Sequence, residues 1–316
     1  MNQFSIGIVF FLSTAAFAHS HDDSFDFSDS GITGPKYAEI LSSVESLRNQ
    51  YSTLVSLQDY GKSVQGRTLR AFVVMKNGVT VGTRPAVLMT GSTHGNEYLN
   101  IEDRLAEQLL KRSSEAGAIS DYLNAGGAFI FVPILNPDGY DARKRENANG
   151  VDLNRDWDVP SAGFKGFKQT ETKLLSEKVA SLVTSLNLKL KVTVDYHCCV
   201  GALLHPLSYT DKAIPATALQ GHLALGDIAK KYLNVEVGTT PKILGYYPLG
   251  TTKDYYYEKY GAFAFTYEGR YKVENANLEK HVGWWEDMVK TLKSEISDLA
   301  FARFSNQIIP ISKFAE

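Results

Sequence analysis

Met89 to Glu97 reads MTGSTHGNE and completes the apolar run Ala86, Val87, Leu88 and Met89. His94 and Glu97 place an imidazole and a carboxylate on the turn that leaves this run. The two can converge on one cation if the chain bends there, and the glycines at 91 and 95 permit the bend. A surface turn with a solvated Glu offers the same pair, so the remaining parts of a site have to come from elsewhere in the chain.

The flanking elements alternate. Ile40, Leu41, Val44, Leu47 and Tyr51 recur at helical spacing, and Val55 to Tyr60 and Leu69 to Met75 read as strands about the turn Gly61 to Gly66. Ile101 to Lys111 reads as an amphipathic helix, Ala128 to Ile134 as a strand, Thr170 to Leu186 as a helix, and Leu188 to His197 as a strand. This order favours an α/β domain with a largely buried sheet. At 316 residues, 44% apolar and 22% charged, the chain can bury one large core, and one domain over residues 36–305 is expected. A formal net charge of −2 supplies no basic field, which argues against nucleic acid or an anionic membrane as the main partner.

Ile6 to Leu12 is an apolar run too short to span a bilayer, and Ala16, Phe17 and Ala18 form a small-x-small cleavage site. Residues 1–18 are therefore expected to be a signal peptide cut before His19, making the protein secreted or periplasmic. No later run reaches the roughly 18 to 20 apolar residues of a membrane span, so no stable membrane insertion is expected. Residues 19–35, rich in Asp and Ser, read as an acidic disordered arm, with folding to begin near Tyr37. Val282, Trp285, Met288, Val289, Leu292 and Ile296 predict a final helix over His281 to Ala300, and residues 306–316 read as a surface tail. The cysteines are the neighbours Cys198 and Cys199; adjacent cysteines seldom bridge, so both are expected as free, buried thiols.

Further polar groups cluster beyond the turn signal Asn136-Pro137-Asp138-Gly139-Tyr140. Arg143, Lys144 and Arg145, followed by the pair Asn154 and Arg155 in a Gly- and Asn-rich segment, suggest an anion-binding loop, since a guanidinium fork matches a carboxylate. The strand ending Asp195-Tyr196-His197 adds a second imidazole. His94, Glu97 and His197 make a two-His, one-carboxylate set with a position left for water, the composition of a catalytic zinc site, and one Zn2+ per chain is expected.

With these pieces in hand the chain resembles the zinc metallocarboxypeptidases (M14-like, short-loop branch). The likeness lies in HGNE at 94–97, NPDGY at 136–140, RENANGVDLNRDW at 145–157, DYH at 195–197, GYYPLGTTKDYYY at 245–257 and FAFTYEG at 263–269. Asp156 and Cys198 depart from the usual pattern. The resemblance implies a single α/β domain with a mixed, roughly eight-stranded sheet, helices on both faces and the site at the carboxyl ends of central strands. It implies Glu268 as general base, Arg145 as oxyanion stabiliser, Asn154 and Arg155 as the clamp on a peptide's free C-terminal carboxylate, and Asp152 as the carboxylate that orients His94. Tyr246 is the implied mobile phenol, with Tyr247 its rival. Lys253 falls at the floor of the specificity pocket, which implies a preference for acidic C-terminal residues. Two other substrate classes stay open: murein peptides bearing diaminopimelate, and N-acyl amino acids, because aspartoacylase-like deacylases resemble the HGNE and DLNR strings.

Overall fold

Alternation along the central strands creates two buried faces. In β3 (Arg84–Gly91), Val87 and Met89 enter one core while Ala86 and Leu88 enter the other, the period of two expected of a strand covered on both sides. The computed structural model describes residues 29–274 and 277–292. The predicted signal peptide, the arm up to residue 28, the tail and the end of the last helix lie outside them.

Across the described residues the sheet runs β1 (Val55–Lys62), β2 (Thr68–Met75), β4 (Ala128–Val132), β3, β5 (Leu188–His205) and β6 (Glu236–Thr239), with β7 (Phe263–Arg270) paired to β5. β1 with β2 and β2 with β4 are antiparallel, whereas β3 is parallel to both β4 and β5. The sheet is mixed, as expected, and has seven strands rather than roughly eight. The difference lies in β5. Its register against β7 climbs from Val192 opposite Phe263 to Cys199 opposite Arg270, then descends from Val200 opposite Arg270 to Leu204 opposite Thr266. One continuous strand thus fills two places beside β7, turning about Gly201, whose φ of +80° suits glycine.

One face is closed by α1 (Tyr37–Gln50), α2 (Arg104–Arg112), α3 (Ala118–Asn124), α6 (Ala216–Leu233) and α9 (Leu278–Leu292), through residues such as Val44, Leu109, Ile119, Leu225 and Trp285. The other is covered by α5 (Thr170–Ser185) and α8 (Thr252–Tyr260), through Val179 and Tyr256. The short helices α4 (Pro137–Ala142) and α7 (Thr240–Leu244) sit in the connections. α4 takes the place of the predicted NPDGY turn: Pro137 occupies its first position and the Asn136 side chain accepts from Gly139 N–H, two features that start a helix. No helix among the described residues is long and apolar enough to cross a membrane.

Two expectations are corrected. Residues 29–35, read from composition as disordered, are packed: Ser30 and Ile32 are buried, and Ile32 joins Tyr37, Ile40, Tyr98, Ile134 and Tyr140 in a small apolar cluster. Composition counts Asp29 and Ser30 as solvated groups, whereas here they bond to the chain itself and to Arg143. Cys198 and Cys199 are joined as a disulfide instead of being free. The expectation rested on the closed ring distorting the intervening peptide; that peptide, Cys198–Cys199, is cis here.

Candidate active site

His94 and Glu97 stand on the turn that leaves the carboxyl end of β3, and His197 lies on β5 beside it. Gly95 is required by close approach: a Cβ there would collide with the backbone of Gly139 and Tyr140. His94 Nδ1 is 2.9 Å from Glu97 Oε1, and His197 Nδ1 is 2.9 Å from Glu97 Oε2 and 3.1 Å from His94 Nδ1. All three side chains are buried, and their ligand atoms lie within 4.8 Å of one another, the one such group found among the described residues.

The outward nitrogens are fixed by carboxylates. His94 Nε2 lies 2.9 Å from Asp152 Oδ1, and His197 Nε2 lies 2.8 Å from Asp195 Oδ2. Such partners hold a proton on Nε2 and leave Nδ1 with its lone pair aimed inward. Asp152 is the carboxylate expected beside His94. Asp195 is an addition, although its signal was present, because residues two apart on a strand share a face. It also accepts from Thr90 and Thr93 hydroxyls at 2.7 and 2.9 Å. Burial would raise its pKa, but His197 and the hydrogen bonds from Thr90 and Thr252 outweigh that and leave it lowered.

Glu268 on β7 lies opposite His197 in the register and is partly exposed. Desolvation pushes its carboxyl up to about 7; His197 pulls it down and Glu97 pushes it up. Arg145 donates from Nη1 to Glu97 Oε1 at 2.9 Å, and from Nη2 and Nε to Asp152 Oδ2 at 2.9 and 3.2 Å. Asn154 Oδ1 accepts from the backbone and side chain of Thr252 at 3.0 and 3.2 Å, which ties this residue to the start of α8. Arg155 donates to the Asn154 carbonyl at 2.8 Å and keeps a third of its side chain exposed.

Fold and cluster can now be set beside known proteins. Residues 40–282 match the sequence profile of a family described as zinc carboxypeptidase. The chain belongs to that family. It is 27% identical over 205 residues to the inactive metallocarboxypeptidase ECM14 of Uncinocarpus reesii, covering 54% of this chain and 35% of that protein. It is 25% identical over 234 residues to metallocarboxypeptidase A of Trichophyton rubrum, covering 65% of this chain and 55% of that one. The chain therefore spans from about a third to just over half of the length of these curated relatives. Two crystal structures share the fold. Carboxypeptidase A from Helicoverpa armigera aligns with a TM-score of 0.66 at 22% identity, over 86% of this chain and 75% of that one. Thrombin activatable fibrinolysis inhibitor aligns with a TM-score of 0.69 at 16% identity, over 81% and 73%.

The zinc that this carboxypeptidase family uses suits the donor set. Two imidazole nitrogens and a carboxylate at about 2.0–2.2 Å from a tetrahedral zinc would stand roughly 3.3–3.6 Å apart, a few tenths of an ångström beyond the 2.9 to 3.1 Å found here. Two Nδ1 lone pairs facing each other in a buried space also call for a cation between them. Of the two tyrosines, Tyr246 sits with its ring centroid 6.0 Å from the Arg155 guanidinium, whereas Tyr247 donates to Asp211 at 2.6 Å. Lys253, in the first turn of α8, is only 2% exposed. Burial lowers its pKa, and Asp254 and Glu268 partly restore it. Of the residues in the predicted anion-binding loop, Arg145, Asn154 and Arg155 lie at or next to the cluster, through Glu97, His197 and Asp152 respectively. Lys144 is exposed, and Arg143, in a left-handed conformation at the end of α4, reaches Asp29 and the Ile32 carbonyl instead.

Proposed function

We propose that the chain is an active, exported zinc carboxypeptidase that removes the C-terminal residue of peptides and favours acidic residues there. One observation carries this reading: Glu268 stands opposite His197, one of the three buried ligand-type side chains, with Arg145 and Asn154 beside them and Arg155 4.0 Å from Asp152. Some relatives carry the word inactive in their names, and the groups that turnover demands are all present in this chain. Zinc, when bound, supplies Lewis acidity at the scissile carbonyl. Glu268 takes the proton of the attacking water and passes it to the leaving amine, a task matched by a carboxyl with a raised pKa. Asp152 and Asp195 hold the two imidazoles in the ligating tautomer. Arg145 stabilises charge on the carbonyl oxygen, Asn154 and Arg155 hold the substrate's terminal carboxylate, and Tyr246 closes over it. The leader at 1–18 carries the export reading.

The carboxylate clamp is tested by amidating the substrate's C-terminus. Charge-assisted hydrogen bonds contribute about 1.5–3 kcal/mol each, so losing two should lower kcat/KM by roughly a hundredfold or more. Equal hydrolysis of acid and amide would indicate an endopeptidase or a deacylase.

The acidic preference rests on Lys253. At an effective dielectric near 20, opposite charges about 4 Å apart attract by roughly 4 kcal/mol before desolvation is subtracted, which leaves room for a net preference of one or two powers of ten. A panel of peptides differing in the last residue should rank Glu and Asp above Phe and Leu, and Lys253→Asp should shift the ranking towards Lys and Arg. A profile that Lys253→Asp leaves unchanged would remove this residue from the pocket. Diaminopimelate also carries a distal carboxylate, so a murein peptide belongs in the panel.

A further inference from the structure

We propose that residues 29–35 are a strap that positions the zinc-ligand turn, and that Arg143 is the positioning residue that fastens it. The inference rests on the reading that His94, Glu97 and His197 hold zinc. Ser30 makes two backbone bonds: its N–H donates to the Asn96 carbonyl at 3.0 Å, and its carbonyl accepts from Lys272 N–H at 3.0 Å. Asn96 immediately precedes Glu97, and Lys272 lies just beyond β7, which carries Glu268. One residue of the strap thus bridges the turn that bears the ligand carboxylate and the chain leaving the strand of the base.

The strap also touches the other neighbour of Glu97. Gly34 lies flat against Tyr98 and Tyr140, since a Cβ there would come within 2.5 Å of Tyr98 Cε1 and would collide with the Tyr140 hydroxyl. Ile32 shares a buried cluster with both rings. Glu97 is therefore held from both sides along the chain, by a hydrogen bond at 96 and by packing at 98.

The strap keeps its own shape through Asp29 Oδ1, which accepts from Gly31 N–H at 2.7 Å, and Ser30 Oγ, which accepts from Ile32 N–H at 3.2 Å. Arg143 then ties it down from α4, donating to the Ile32 carbonyl at 2.5 Å and to Asp29 Oδ1 at 2.9 Å, while the Tyr140 hydroxyl donates to the Pro35 carbonyl at 2.7 Å. This arginine, grouped in the sequence with Arg145, faces the strap rather than the ligand cluster. A released strap leaves the turn free to wander, and the lost freedom must then be supplied when the metal binds. Groups that orient ligands directly typically change metal affinity 10- to 100-fold when mutated. The strap acts one contact further out, so an effect of about three- to tenfold is expected.

The test uses the full chain with Arg143→Ala, Gly34→Ala and the milder Asp29→Asn. Zinc affinity is read by competition with a chromogenic chelator, alongside kcat and KM at saturating zinc and the thermal midpoint of the metal-free protein. Arg143→Ala and Gly34→Ala should each weaken zinc binding about three- to tenfold with KM little changed, Asp29→Asn less, and Arg143→Lys should recover part of the loss because an ammonium can still reach one acceptor. Lower thermal midpoints with zinc affinity unchanged, in variants that fold, would make the strap a fold stabiliser alone and overturn the proposal. A wild-type chain that binds no zinc would sink the ligand reading and this inference together; a zinc-binding wild type with unaltered variants would sink only the strap.

Discussion

Glu268→Gln should lower kcat by about two to four orders of magnitude, the range that general acid–base groups supply, while zinc stoichiometry and KM stay near those of the wild type. The amide keeps the shape of the carboxyl and cannot accept the water's proton. Its partner in the register, His197, is held independently by Asp195 and Glu97, so the ligand geometry has no need of the Glu268 charge. Removing a carboxylate also relieves the repulsion between Glu97 and Glu268. Metal binding should not suffer, and a drop in turnover can be assigned to the lost proton acceptor. The measurement is kcat and KM on a blocked dipeptide together with metal analysis of the same preparation. Turnover near the wild-type value would show that another group is the base; a wild type as slow as the variant would place this chain with its relatives named inactive.

Removing the metal should abolish turnover altogether, and one equivalent of zinc should restore it. The ligand set explains the size of the effect. Glu97 bridges two imidazoles whose Nδ1 atoms are 3.1 Å apart, and without a cation those atoms repel unless one carries a proton. Zinc satisfies all three donors at once, so binding should also stabilise the fold, by about 2.7 kcal/mol at a free zinc concentration one hundred times the dissociation constant. A chelated sample should accordingly unfold at a lower temperature and contain no metal, and the reconstituted one should hold about one zinc per chain. If reconstitution leaves no stoichiometric transition metal, the cluster is not a metal centre and the proposed mechanism falls with it.

Much of the site was legible because its parts are local. HGNE sits on the turn after an apolar strand, His197 closes an alternating apolar and polar run, and Glu268 follows the apolar run 262–267, so each group is marked by the pattern just before it; in the structure β5 continues past His197 to His205. The residues that failed the reading did so for physical reasons. Arg143 and Arg145 look alike in sequence, but the left-handed backbone at Arg143 sends one guanidinium to Asp29 while the other meets Glu97 and Asp152. Asp29 and Ser30 have the composition of a solvated arm and become ordered because groups far along the chain meet them, the Asn96 and Lys272 backbones at Ser30 and the Arg143 guanidinium at Asp29.

By itself, then, the sequence picked out the ligand-type side chains, the carboxylate proposed as base and the strands that carry them, since the spacing of apolar and polar side chains dictates which face of an element each residue occupies. Only the tertiary structure decided that His94 and His197, 103 residues apart, share one space, that Asp195 rather than solvent meets the second imidazole, that Lys253 is buried, and that β5 takes two places in the sheet. Those outcomes depend on which surfaces pack together and on backbone angles such as the positive φ at Gly201 and Arg143, and side-chain periodicity, which records only the local face of each element, does not specify them.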